Sequence, residues 1–379
     1  MMTFKDLGLA SYLQQIIEKQ GFKHPTTIQE QAVSVILKGK DALGIAPTGS
    51  GKTAAYAWPI IQNLEGKTAI KNRHINVLIV VPTRELAVQV QEVFSFYERE
   101  LPFRLKSMAV HGGVSINPQM MGMNNVNVLI ATPGRLLELH DSNAMHFDSL
   151  STLILDEADK MLNLGFKDEM DRIFSLLPRR RQNLLFSATL SPELQAVERV
   201  LLKDPVTLKV EAKPIDIELI NQIAYAVIPE KRGPLLRHLI KSNDMQQVLV
   251  FTSSTYQTEL VAEKLGKNGI DAAAIHGKRS QGSRRDSLTK FTNGKLRVLV
   301  STDLLARGID IAFLPYVINY ELPRSPKDFV HRIGRTGRAE NPGQAITFVT
   351  PDAEHHYGVI QKKMKRKVEM TDSSELDFR

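Results

Sequence analysis

Short apolar runs alternate with longer helix-compatible stretches along most of the chain. In the first half the runs fall at 42–46, 77–81, 105–110, 128–131, 153–155 and 184–187. Each predicts a strand, and the stretches between them predict helices. The rhythm argues for an α/β fold, a mostly parallel sheet covered by helices on both faces. It breaks at Lys203-Asp204-Pro205 and again at Lys213-Pro214-Ile215-Asp216, where the chain becomes polar and turn-like. It resumes with runs at 248–251, 272–275, 298–301, 317–319 and 345–349. Two domains of one class are predicted, residues 1–207 and 217–379, joined by a linker over 208–216.

Composition narrows the class. The chain has 379 residues, 42% of them apolar, enough for two ordinary cores. It contains no cysteine, which excludes disulfides and thiolate metal sites and fits a reducing compartment. No apolar run approaches the roughly 18 residues of a membrane span. The start, Met1-Met2-Thr3-Phe4-Lys5-Asp6, lacks the charged-then-apolar order of a signal segment. A cytoplasmic monomer is the expectation. Net charge is +8 and unevenly placed: residues 1–205 carry 22 basic and 21 acidic side chains, residues 206–379 carry 27 and 20. The basic second half points to a polyanion lying against it. The charge run Lys362 to Lys367 reads as a solvated face.

The chemistry starts at Asp156-Glu157-Ala158-Asp159, directly after the run Leu153-Ile154-Leu155. Three carboxylates in four residues at a strand end repel one another, and burial raises their pKa values unless a cation lies nearby. A solvated acidic loop is one reading; a Mg²⁺ site beside phosphates is the other. A second segment favours the latter. Ala46-Pro47-Thr48-Gly49-Ser50-Gly51-Lys52-Thr53 stands between a short strand and a helix. That is the context of a phosphate-binding loop. Gly49 and Gly51 allow backbone N–H groups to point at phosphate oxygens, with Thr48 and Ser50 in the same loop. Lys52 can reach the β- and γ-phosphates, and Thr53 can place its hydroxyl on Mg²⁺. Ala46 stands where the strict string has glycine. Asp156 would then hold Mg²⁺, through water, and Glu157 would orient or deprotonate the attacking water.

Other strand ends also carry telling residues, and ligands bind at the carboxyl ends of strands in such sheets. Pro82-Thr83-Arg84 and Thr132-Pro133-Gly134-Arg135 read as helix starts with Thr as a possible cap. They are either plain capped helices or successive cradles for backbone phosphates. His111-Gly112-Gly113 is either a tight turn or bare backbone open to the same strand. In the second half, Thr302 to Asp310 follows a strand, and His331-Arg332-Ile333-Gly334-Arg335-Thr336-Gly337-Arg338 is poor core material. If a helix begins there, Arg335 and Arg338 share a face. They suit either an RNA backbone or a γ-phosphate losing its bond, as arginine fingers.

Together these segments resemble the DEAD-box family of RNA helicases, within helicase superfamily two, from Phe4 to about Val349. The resemblance implies two tandem RecA-like domains, ATP and Mg²⁺ as cofactors, and RNA bound largely without sequence preference. It implies that Gln29 reads the adenine edge, that Phe22 stacks on the ring with Thr26 in support, and that Phe4 is the upstream aromatic of that segment. By hydrophobicity alone Phe22 reads as core and Gln29 as helix surface. The resemblance further implies that Ser187 and Thr189 couple nucleotide state to RNA through Asp159, with His331 in the same set, and that Asp310 contacts the ribose. Thr252, Gln281 with Arg284, and Thr302 with Gly308 become RNA contacts of the second domain. Ala46 is normal for the family. Departures are Thr27 for a common Pro, Lys160 for Arg and Phe329 for Tyr, none of them at a proposed catalytic atom. The expected activity is RNA-dependent ATP hydrolysis that unwinds or remodels short duplexes. An ATP-gated RNA clamp uses the same residues. A DNA translocase and a non-helicase ATPase fit the motifs less well.

Overall fold

The computed structural model describes residues 2–47, 49–66, 72–211, 220–302, 314–337 and 343–376. The chain divides into two compact units, Met1–Ala212 and Lys213–Arg379. The first holds a sheet of seven parallel strands: β1 Ala42–Ile45, β2 Val77–Val80, β3 Ser107–Val110, β4 Val128–Ala131, β5 Thr152–Leu155, β6 Gln182–Ser187 and β7 Val206–Lys209. Their order is β3-β4-β2-β5-β6-β1-β7. The second holds β8 Ile220–Ala226, β9 Val248–Thr252, β10 Ala272–Ile275, β11 Val298–Thr302, β12 Tyr316–Asn319, β13 Gly343–Val349 and β14 Met370–Asp372. These lie in the order β10-β11-β9-β12-β13-β8-β14, which repeats the first pattern strand for strand.

The strands are continuous apolar runs because both faces are covered. Val77 and Ile79 of β2 enter one hydrophobic cluster, with Tyr56, Trp58 and Phe94. Leu78 and Val80 point the other way, into a cluster with Leu136, Met161 and Ile173. In the second unit Val248 and Val250 separate from Leu249 and Phe251 in the same manner. Each sheet therefore lies between two helical layers, and its two edges of strand ends remain for ligands.

Three strands escaped the apolar pattern. β7 pairs with β1 over Val206–Lys209, so the expected linker start at Leu208 falls inside a strand. Residues 212–216 of that linker lie outside the described residues. β8 carries Asn221 and Gln222 among its apolar positions, and β14 is exposed along its whole length. β7 and β14 close one side of each sheet, where one neighbour is missing and polar residues are tolerated.

Candidate functional site

In the first unit the carboxyl edge is divided. The segments expected to hold nucleotide follow β5, β6 and β1, which are neighbours. Those expected to meet RNA follow β3, β4 and β2, the neighbours on the other side. The strand order makes this division: β2, β3 and β4 are consecutive in the chain, whereas β1 is brought to the β5–β6 pair by the crossover of the sheet.

After β1 the chain turns through Gly49 and Gly51, both at positive φ, and enters the helix Lys52–Asn63. A side chain at Gly51 would be strained at φ 90° and would come within 2.5 Å of Gln29 Nε2. Lys52 is buried, and its Nζ donates to the carbonyls of Ala46 at 2.6 Å and Pro47 at 3.1 Å. Burial pulls its pKa down, while Asp156, Glu157 and Asp159 pull it up. The ammonium and the acidic tetrad thus share one field. Ser50 Oγ is buried without a hydrogen-bond partner among the described residues. Thr48 lies outside the described residues.

After β5 stand Asp156, Glu157 and Asp159, all buried. Burial pushes the carboxyls of Asp156 and Glu157 up; Lys52 chiefly opposes this at Asp156, and Lys160 at Glu157. The Asp156 Oδ2 accepts a bond from the Tyr56 hydroxyl at 2.9 Å, whereas Oδ1 has no hydrogen-bond partner among the described residues. Glu157 adopts the left-handed conformation, φ 54° and ψ 45°, rare outside glycine. Its Oε2 accepts from Lys160 Nζ at 2.7 Å, so the Lys160 departure, expected to lie away from every proposed catalytic atom, touches the Glu157 carboxylate after all. Asp159 Oδ2 accepts from the Thr189 hydroxyl at 2.7 Å. Ser187 stands one step back: its hydroxyl donates to the Thr189 carbonyl at 2.8 Å.

The adenine segment reverses the hydrophobic reading. Gln29 is 1% exposed and Phe22 is 41% exposed. Gln29 Oε1 accepts from the Thr26 N–H at 2.9 Å, closing a capping box at the start of the helix Thr27–Leu37. Its Nε2 donates to the Gly51 carbonyl at 3.3 Å, and the Thr26 hydroxyl donates to the Ser50 carbonyl at 2.8 Å. The segment is therefore tied to the phosphate loop. Phe22 and Phe4 both meet Trp58 edge-on, at centroid distances of 5.8 and 5.6 Å. The pattern Thr26-x-x-Gln29 is itself a capping signature and was the signal that hydrophobicity hid.

On the other half of the edge, Thr83 caps the helix Arg84–Glu98, accepting from the Leu86 N–H at 3.3 Å, beside the buried Pro82. The Arg84 guanidinium lies over Gly113, where a Cβ would collide with it; Gly112 is beside it. Thr132 precedes the helix Pro133–Asp141 and makes no side-chain cap bond. Gly134 has open space beside it. Arg135, expected on a phosphate, is instead buried: its Nε donates to Glu138 at 2.7 Å and an Nη donates to the Val114 carbonyl at 2.8 Å.

In the second unit Thr252 is fully buried, its hydroxyl 2.8 Å from that of Thr258, and Arg284 is buried as well. Both were expected to face RNA directly. Thr302 ends β11, half-buried. The helix Pro326–Ile333 carries the exposed His331 and closes at Gly334. Arg335 therefore follows a helix end, and the condition for its sharing a helical face with Arg338, that a helix begin there, is not met at Arg335. Arg332 is also no surface cation. It is 2% exposed, donates to Asn319 Oδ1 at 3.2 Å and to the Glu321 carbonyl at 2.6 Å, and lies over the Phe251 ring. Gly308, Asp310 and Arg338 lie outside the described residues.

A glycine loop with a buried lysine, one strand away from a buried carboxylate pair at the edge of a parallel sheet, defines a RecA-like nucleotide-hydrolysing fold, here in tandem with a second sheet of the same order. Comparison with known proteins carries this further. The DEAD/DEAH box helicase model matches residues 26–197, and the helicase conserved C-terminal domain model matches residues 231–340. The chain belongs to the DEAD/DEAH box helicase family. It is 38% identical over 362 residues to the ATP-dependent RNA helicase CshA of Limosilactobacillus reuteri, covering 95% of this chain and 72% of that one. It is 37% identical over 378 residues to the DEAD-box ATP-dependent RNA helicase CshA of Geobacillus kaustophilus, covering 100% and 80%. Among solved structures, S. cerevisiae Dbp5 bound to RNA and ADP BeF3 superposes with a TM-score of 0.83 at 27% identity, covering 98% of this chain and 95% of that one. A DEAD box protein from Methanococcus jannaschii gives 0.53 at 34% identity, covering 98% and 99%.

Proposed function

We propose that this chain hydrolyses ATP on its first unit and uses the cycle to close both units on one strand of RNA, so that a short duplex cannot stay paired. The observation that carries the reading is the buried Asp156–Glu157 pair at the end of β5, beside Lys52 and with the Asp156 Oδ1 lacking a hydrogen-bond partner among the described residues. That oxygen, with Thr53 at the first turn of the helix Lys52–Asn63, fits a divalent cation. Bound Mg²⁺ would neutralise charge on the β- and γ-phosphates.

The chain's own residues do the rest. Gly49, Ser50 and Gly51 cradle phosphate with backbone N–H groups, and Lys52 leaves its loop carbonyls for the β- and γ-phosphates. Gln29 reads adenine and Phe22 covers it. Glu157 takes up or orients the proton of the attacking water. Arg335 and Arg338 stabilise the departing phosphoryl group once the units close. Asp159, Thr189 and Ser187 carry the state of the site along the edge toward Pro82, Thr83, Arg84, Gly112, Gly113, Thr132 and Gly134. Contacts to sugar and phosphate make binding tolerant of sequence, and 2′-OH contacts favour RNA. Arg135 supports this surface from beneath, and the buried Thr252 and Arg284 support the corresponding edge of the second unit.

The test is Glu157→Gln, assayed with a short RNA duplex. It is expected to retain ATP and RNA binding while turnover falls at least about a hundredfold. Strand displacement should disappear with it. Equal ATPase rates for variant and wild type would remove Glu157 from the chemistry. Wild-type hydrolysis without strand displacement would make the protein a clamp.

A further inference from the structure

Tyr56 lies in the middle of the helix Lys52–Asn63 and is fully buried. A buried tyrosine needs a partner for its hydroxyl, because an unpaired one carries a desolvation cost. A phenylalanine would fill the same space without that demand. The partner here is Asp156, whose Oδ2 accepts the bond at 2.9 Å. The ring rests against Phe186 of β6, with centroids 5.4 Å apart, so it cannot swing aside without moving that side chain. The bond occupies one carboxylate oxygen and leaves the other, Oδ1, buried with no hydrogen-bond partner among the described residues. One oxygen is fixed, and the other is given a direction.

We propose that Tyr56 is a positioning residue for the divalent cation: its hydroxyl holds Asp156 in the rotamer that presents Oδ1 to the metal accompanying ATP. The proposal rests on the nucleotide site inferred above. Without the bond, Asp156 can rotate about its side-chain torsions, and each metal-binding event must first restore the productive orientation.

The test is Tyr56→Phe, which removes the hydroxyl and keeps the ring. Affinity for a fluorescent non-hydrolysable ATP analogue is measured in EDTA and through a Mg²⁺ titration. Wild type and variant should bind the metal-free analogue within about twofold of each other. The tightening brought by Mg²⁺ should be about tenfold smaller in the variant, the loss expected of one hydrogen bond to a charged group. In an Asp156→Asn background the same substitution should change that tightening by less than about twofold. Full Mg²⁺ tightening in Tyr56→Phe overturns the proposal. An equal loss with and without metal also overturns it and makes Tyr56 a packing residue. Failure of the nucleotide-site reading is a separate result: the wild type itself would then bind the analogue with no response to Mg²⁺.

Discussion

Gln29 and Phe22 occupy each other's expected places, and the reason is hydrogen bonding. The Gln29 amide satisfies the Thr26 N–H and the Gly51 carbonyl, so its burial leaves those groups paired. Phe22 leaves the core because Trp58 already fills the space beneath it. The two residues should therefore separate stability from binding. Gln29→Ala leaves a donor and an acceptor unpaired and should cost about 1–3 kcal/mol in chemical denaturation. Phe22→Ala removes one ring edge and should cost less than about 1 kcal/mol. Both should weaken ATP, which fluorescence titration with a nucleotide analogue would measure. An undiminished ATP affinity in Phe22→Ala would remove the ring from the site. Motif residues such as Lys52, Asp156 and Glu157 were legible because spacing and charge mark them. Tyr56 and Arg332 were not. Each is a polar side chain whose partner, Asp156 or Asn319, is distant in sequence, and nothing local announces the pairing.

The strands that cross each sheet centre were legible as apolar runs, and the helices between them followed. β7, β8 and β14 were not: β7 and β14 are sheet edges that need no continuous run, and β8, though paired on both sides, interrupts its apolar positions with Asn221 and Gln222. The helix starts at the ligand edge were legible as Thr followed by helix, but not their difference. Thr83 spends its hydroxyl on the Leu86 N–H, while Thr132 makes no cap bond. Thr83→Ala should then cost about 1 kcal/mol of stability, the ordinary value of an N-cap. Thr132→Ala should cost less than half of that and act instead on RNA affinity, measured by fluorescence anisotropy with a short single strand. Equal destabilisation by both, with RNA affinity intact, would reduce the pair to two capped helices. Arg135 illustrates the limit of reading an edge from residue types. An arginine beside a helix start suggested a phosphate, yet Glu138 at i+3 was the nearer anion.

The repeated strand order sets what each unit can contribute to the whole. In the first sheet the strands before the proposed RNA segments and those before the nucleotide segments occupy opposite halves of one edge. In the second, Thr252 and Thr302 end β9 and β11 and Arg284 follows β10, whereas His331 and Arg335 follow β12, the strand equivalent to β5. On the proposed reading the second unit has an RNA half and a nucleotide half of its own, and its sequence carries no second phosphate loop. On the proposed function, its contribution to hydrolysis comes from side chains rather than from a loop of its own. Arg335, an arginine proposed for that role, follows the end of the helix Pro326–Ile333 and stands beside the short bridge from Leu314 to Thr336. If it acts only on closure, its removal leaves the open state untouched. Arg335→Ala should bind ATP within about twofold of wild type in the absence of RNA. Its RNA-stimulated turnover, followed by phosphate release, should fall at least about a hundredfold, the loss associated with one preorganised charge at a transition state. The arginine serves the RNA backbone instead if RNA affinity falls while turnover at saturating RNA is preserved. That outcome would move Arg335 from the nucleotide half of the second edge to its RNA half.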